Sequence, residues 1–181
     1  MKYLSVAVGC LLLSAVVQAE ETVQGAGIEG HRYLGAMISS PQYKEDDSNV
    51  DFRSAGLLVR GGIEFNEVLA VEGHFGIFGE DVTDDGSYQI EYLASIYARG
   101  NLPLIGQRIR LYGLGGLTHF SGNVPGFRNV DETAIGYGVG IELYGNEHTA
   151  LTLEWLRHAV GDIRNVDYTL ESASLGLLYR F

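Results

Sequence analysis

From residue 31 onward apolar and polar residues alternate with a period of two, broken at intervals by Gly, Asn, Asp and Pro. Successive side chains of a strand point to opposite faces, so this period predicts strands with one apolar face and one small or polar face. Eight are predicted, over 31–39, 52–62, 67–78, 87–100, 108–120, 133–144, 149–159 and 169–181. In the third, Leu69, Val71, Phe75 and Ile77 alternate with Ala70, Glu72, His74 and Gly76. In the sixth, Ile135, Tyr137, Val139, Ile141 and Leu143 stand opposite Gly136, Gly138, Gly140 and Glu142. No segment after residue 19 carries a helical period or an apolar run of the length a membrane helix needs.

The connections carry as much information as the strands. Segments 40–51, 79–86, 121–132 and 160–168 are long and polar, whereas 63–66, 101–107 and 145–148 are shorter. All nine Asp residues (Asp46, Asp47, Asp51, Asp81, Asp84, Asp85, Asp131, Asp162 and Asp167) fall in the long set. An up-and-down sheet places alternate connections at opposite ends, so one end of the fold is expected to be acidic and the other not.

Residues 1–19 read differently. Lys2 precedes an apolar stretch from Leu4 to Val17, and Val17-Gln18-Ala19 leads into Glu20. This is the layout of a secretory signal peptide cut after Ala19, and the stretch is short for a membrane anchor. The only Cys, Cys10, lies within it, so no disulfide or Cys-based metal site is expected in the exported chain. Residues 20–30 are then a periplasmic leader, and 31–181 the folded domain.

Two architectures fit eight meandering strands: a soluble barrel with an apolar lumen, and a membrane barrel with an apolar outer wall. Inversion preserves the alternation, so composition must decide. Beyond residue 19 the chain has one Lys, Lys44, in a long connection, although 46% of the whole sequence is hydrophobic. A wet outer wall would spread Lys and Glu over the exposed face. Instead the polar face is largely Gly, Ser, Thr and Ala, which suits a narrow packed interior. The expected fold is therefore all-β, an eight-stranded antiparallel up-and-down transmembrane β-barrel. Closure is obligatory, because an unpaired backbone group in hydrocarbon costs several kcal/mol. Eight strands leave an interior just wide enough for side chains, so a wide diffusion pore is disfavoured. With 12 basic against 23 acidic residues, a net charge of −11 excludes a nucleic-acid partner.

Tyr88, Tyr92, Tyr112, Tyr137, Trp155, Tyr168, Tyr179 and Phe181 lie in the strands, several toward their ends, as outward girdles at the two water interfaces would require. The chain ends Leu175-Gly-Leu-Leu-Tyr-Arg-Phe181, an alternating strand with a terminal aromatic carboxylate. With Tyr112-Gly-Leu-Gly-Gly116 and the eight-strand plan, this ending resembles the small outer-membrane barrels of the OmpA and OmpX/Ail type. That resemblance covers residues 20–181 at the level of fold. It implies an outer-membrane location in a Gram-negative bacterium, contact with outer-membrane lipids and lipopolysaccharide, and Tyr179 and Phe181 as a signal to the barrel-assembly machinery. The peptidoglycan-binding domain of OmpA is not expected here.

If the small-residue faces line the lumen, then Arg60, Glu72, His74, Glu91, Arg99, Glu142, Glu154, His158 and Arg180 point inward. Buried charges must pair, so this set is expected to be an internal salt-bridge network, with a narrow ion-conducting pore as the functional alternative. His119 and Ser121 share a strand face and, with Asp131 or Glu132 as orienter, form the makings of an esterase triad. They weakly resemble the His-x-Ser of outer-membrane lipid A deacylases, in a different strand. Asp81-Val-Thr-Asp-Asp85-Gly86 has the oxygen spacing of half a calcium loop, but Tyr92 stands where a bidentate Glu is needed. No metal or cofactor is expected. Arg157, outward near the acidic end, is placed to meet a lipopolysaccharide phosphate. The leading expectation is a non-enzymatic barrel serving membrane integrity or adhesion through its loops, with an extracellular ligand there. The alternatives are a lipid A hydrolase and a narrow pore.

Overall fold

Eight staves run up and down and close on themselves. In chain order the strands are β1 (His31–Glu45), β2 (Asp51–Arg53), β3 (Gly56–Glu64), β4 (Leu69–Phe78), β5 (Glu80–Thr83), β6 (Gly86–Leu104), β7 (Ile109–Val124), β8 (Phe127–Tyr144), β9 (Thr149–Ile163) and β10 (Val166–Arg180). β2 continues β3 alongside β1, and β5 continues β4 alongside β6, so ten segments make eight staves. The computed structural model describes residues 30–45, 51–83, 86–105, 108–124, 127–163 and 166–181. The export segment 1–19 and all of the leader except Gly30 lie outside these residues.

Every pairing is antiparallel, and β10 pairs with β1 from Tyr33↔Arg180 to Glu45↔Tyr168. This last ladder removes both sheet edges. Two short connections are built alike. Asn66 accepts from the backbone N–H groups of Val68 and Leu69 at 2.8 Å, and Asn146 accepts from those of His148 and Thr149 at 2.9 and 2.7 Å. Each is an Asx turn, in which a short amide side chain stands in for the backbone acceptor.

Side chains alternate about the wall as the period of two requires. Leu57, Val59, Ile96, Ile135, Val139, Leu175 and Leu177 point out and are exposed, Ile135 at 72%, whereas Leu58, Leu93 and Leu156 point in at 0%. Tyr179 and Phe181 face outward at the short-turn end, and Tyr137 and Trp155 face outward nearer the other end. Tyr112 does not join a girdle: it is inward and only 3% exposed, because β7 starts at Ile109 and puts even-numbered residues in the lumen. The side chains of Tyr88 and Tyr168 lie outside the described residues.

The strands run further than the alternation predicts. β1, β7 and β9 continue to Glu45, Val124 and Ile163, taking up much of the segments read as long connections. In these upper segments the sequence no longer keeps the alternation of apolar and polar residues. The ladder hydrogen bonds persist there without it.

Candidate functional site

The lumen is filled in layers. At the short-turn end Glu64 of β3 accepts from Arg110 of β7 and from Arg180 of β10, the latter at 2.8 and 3.0 Å, while both guanidiniums lie over the Tyr144 ring. Deeper in, Arg60 from β3 donates to Tyr112 at 2.9 Å, Glu154 at 3.2 Å, Glu142 at 3.0 Å and Thr152 at 2.9 Å. Arg99 from β6 donates to Asn101 and Glu72, each at 2.7 Å, and to Glu142 at 2.6 Å. Its guanidinium lies 3.9 Å from the Tyr112 ring centroid. Glu72 also accepts from the Tyr33 hydroxyl and pairs with His74 Nε2. Every charged side chain in this deeper set is 0% exposed.

Neutral groups take over above this layer. The Tyr97 hydroxyl meets Thr118 at 2.7 Å, His158 Nε2 meets Ser172 at 2.8 Å, and Ser174 donates to Ser39 at 2.9 Å. Toward the long hairpins the lumen holds an apolar cluster of Tyr43, Phe78, Ile90, Leu93, Phe120, Ala159 and Leu170, all buried. In these two layers Arg60, Arg99, Arg110 and Arg180 face Glu64, Glu72, Glu142 and Glu154, so each of these buried carboxylates has a guanidinium within reach. A buried charge without a partner is costly.

Small residues make the room. A Cβ on Gly62 would strike the Tyr33 ring and one on Gly140 the Tyr112 ring. These two positions let the tyrosines lie flat against the wall and reach Glu72 and Glu154.

Arg60, Glu72, His74, Arg99, Glu142 and Glu154 thus meet in one cluster. Arg180 sits in the lower layer, and His158 among hydroxyls above. Glu91 does not join them. The β6–β7 register slips between Ile90 and Tyr92, and this bulge leaves Glu91 exposed instead of inward as simple alternation requires. Tyr33, Glu64, Asn101, Arg110, Tyr112 and Thr152 are members that sequence reasoning missed. Glu64 closes β3 within the segment 63–66 that the alternation reads as a connection, and β7 has too weak an alternation to fix the facing of Arg110 and Tyr112. An acid and a base of like parity near the same end were the available signal.

His119 and Ser121 lie on the opposite, outward face. His119 Nε2 is 2.9 Å from Asp131 and Nδ1 is 3.0 Å from the Thr133 hydroxyl, so both ring nitrogens are engaged by groups other than Ser121. Glu132 cannot orient His119: it pairs across from the inward Phe120, on the other side of the wall. The acidic segment Asp81–Asp85 lies outside the residues whose side chains are described. Glu72, His74 and Glu154 bring ligand atoms within 4.8 Å of one another. Arg60 lies 3.5 Å from Glu72 and 3.2 Å from Glu154, and Arg99 contacts Glu72, so a cation there would be repelled by two guanidiniums.

A family model described as outer membrane protein beta-barrel domain matches residues 6–181. The chain belongs to that family. The barrel is therefore an outer-membrane protein, and its apolar outer wall faces lipid. No curated protein matches it in sequence. In fold it is similar to Ail, the attachment invasion locus protein of Yersinia pestis, with a TM-score of 0.62 and 20% identity, covering 84% of this chain and 99% of Ail. A second Ail structure, in complex with the heparin analogue sucrose octasulfate, gives a TM-score of 0.60 at 20% identity and the same coverage. Neisserial surface protein A gives 0.58 at 17% identity, covering 83% of this chain and 97% of that one. At these identities the likeness is one of fold.

Proposed function

We propose that this barrel is a non-enzymatic surface-interaction protein whose working parts are its outer hairpins. The observation that carries this is the occupied lumen: among the described residues, paired charges fill it below and a buried apolar cluster fills it above. The same packing speaks against the narrow-pore alternative. Both nitrogens of His119 being engaged away from Ser121 speaks against the lipid A hydrolase alternative. Export by residues 1–19, handling of Tyr179 and Phe181 by the barrel-assembly machinery, and contact with lipopolysaccharide belong to the same proposal. So does a contribution to membrane integrity.

The hairpins carry all nine Asp of the chain. A polysulfated sugar of the kind bound in the Ail structure meets like charge here, so the expected ligand is a basic protein surface. The test replaces the Asp residues of one hairpin at a time by Asn and measures binding of whole cells to a basic host-matrix protein and to heparin. Loss of binding to the basic protein, with heparin unbound throughout, supports the proposal. Tight heparin binding by the unmodified barrel refutes it.

A further inference from the structure

The lower layer of the lumen holds more positive than negative charge. Among the described residues Glu64 is its one carboxylate, and the guanidiniums of Arg110 and Arg180 share its Oε1. Both guanidiniums lie against one ring, Tyr144, at 5.2 and 5.3 Å from its centroid, which holds them side by side. Glu142, the next carboxylate inward, accepts from Arg60, Arg99 and the Tyr144 hydroxyl, and Arg110 reaches it only at 4.0 Å. This layer thus keeps a surplus of one positive charge in a chain whose net charge is −11.

Each of the two side chains is engaged on one side only. Arg110 meets Glu64 and Glu142 through Nη1, and Arg180 meets Glu64 through Nη2. The Nε of each is buried and has no acceptor among the described residues, which is costly for a donor withdrawn from water. On Arg110, only 5% exposed, this leaves the edge formed by Nε and Nη2 without an acceptor. Two parallel N–H groups of that kind grip an oxyanion at two points. The Arg180 side chain is 16% exposed, so the layer opens to solvent at the short-turn end. The nine Asp of the chain fall in the long connections, and at this end Glu67 and Glu147 stand exposed on turn tips, as does Arg108.

The geometry points to a binding site for one small oxyanion, a phosphate or carboxylate group taken up from solution at the short-turn mouth of the lumen. Arg110 grips it through Nε and Nη2, and Arg180, held 3.0 Å from the same Glu64 oxygen, adds the second charge. Glu64 is the built-in precedent, since one of its oxygens already bridges the two guanidiniums. It also limits affinity, because the incoming anion approaches a carboxylate. A bound monoanion cancels the surplus charge of the layer and gives the orphaned donors their acceptor. Guanidinium suits planar carboxylate and tetrahedral phosphate alike, and Tyr144 holds both forks in place before the ligand arrives. The site does not depend on which side of the membrane this end faces.

The test follows urea unfolding of the barrel in short-chain lipid vesicles by the fluorescence of Trp155, the single Trp of the chain. Sodium phosphate or sodium acetate replaces sodium chloride at constant ionic strength. An anion that binds only the folded barrel raises the folding equilibrium constant about tenfold at about ten times its dissociation constant. The gain should rise with the first power of anion concentration, as one ion per barrel requires. A gain with phosphate assigns a phosphoryl ligand, and a gain with acetate assigns a carboxylate. Phosphate also favours compact states by exclusion from protein surfaces, so the variants decide. Arg110→Gln and Arg180→Gln should lose the gain, whereas Glu64→Gln, which releases both guanidiniums, should enlarge it. Each gain is read against the same variant in chloride, so differences in starting stability drop out. Heat-modifiable gel mobility shows which variants fold, and Arg180→Gln, at the more exposed position, decides if the others do not. Opposite responses of the Arg and Glu variants cannot come from damage to the fold. An equal phosphate effect in every folded variant, or no effect of either anion on the unmodified barrel, overturns the site.

Discussion

Arg99→Met is the sharpest perturbation of the lumen. Arg99 is fully buried and donates to Asn101, Glu72 and Glu142 at 2.6–2.7 Å, with its guanidinium over Tyr112. Methionine keeps much of the volume and removes the charge. Glu72 and Glu142 then share the guanidinium of Arg60, at 3.5 and 3.0 Å, with Glu154 also competing for it at 3.2 Å, while Arg110 reaches Glu142 only at 4.0 Å. Removing one partner of a buried pair typically costs about 3–5 kcal/mol, because the remaining charge stays desolvated. The loss is expected in that range, since Glu72 and Glu154 are left with Arg60 alone and Glu142 with Arg60 and the more distant Arg110. It is measured by reversible urea unfolding of barrel inserted in short-chain lipid vesicles, followed by Trp155 fluorescence. Arg99→Met/Glu142→Gln restores the balance of charge and should be less destabilised than the sum of the two single variants, by about 1–3 kcal/mol. A cost below about 1 kcal/mol for Arg99→Met, or strict additivity in the double variant, refutes the idea that this network holds the lumen.

Three further outcomes are expected. Gly140→Ala drives a Cβ into the Tyr112 ring and should cost about 1–3 kcal/mol, whereas Gly115→Ala, outward with nothing within 4 Å of its Cβ, should change stability little; equal effects in the same unfolding assay contradict the lumen packing. Ile135→Arg, on the outer wall at 72% exposure, should cost up to about 2–4 kcal/mol in vesicles, and a neutral or stabilising result speaks against lipid contact there. Ser121→Ala should leave the acylation pattern of lipid A unchanged by mass spectrometry in cells overproducing the barrel, and a change in that pattern would revive the hydrolase alternative.

The facing of β4, β8 and β10 is legible in the sequence because one wall touches lipid and the other packs against itself. Glu72, His74, Glu142, Glu154 and Arg180 follow from parity alone. What parity cannot supply is a change of register. The bulge at Ile90–Tyr92 turns Glu91 out of the lumen, and a second irregularity puts His158 and Ala159 both inside. Nor does it say who meets whom. Arg60 and Glu142 are 82 positions apart, and their contact depends on barrel tilt and closure, which no local pattern encodes. Tyr33 and Tyr112 were hidden for another reason: aromatic residues in a membrane barrel suit the girdle as well as the lumen. Only the facing of β7 separates the two for Tyr112. The strand extensions beyond the membrane zone have no amphipathic signature, and there composition indicates polarity without revealing the ladder.

The central claim is that odd-numbered residues of β8 touch lipid while even-numbered ones pack inside. Its most direct test is site-directed spin labelling along 134–143 in a background with Cys10 removed, reading collision with oxygen and with a water-soluble nickel complex in liposomes. Labels at 135, 137, 139 and 141 should be far more accessible to oxygen than to nickel, and labels at 136, 138, 140 and 142 should be poorly accessible to oxygen. Nickel access at 135 and 139, with oxygen access at the even positions, would turn the barrel inside out and contradict the claim.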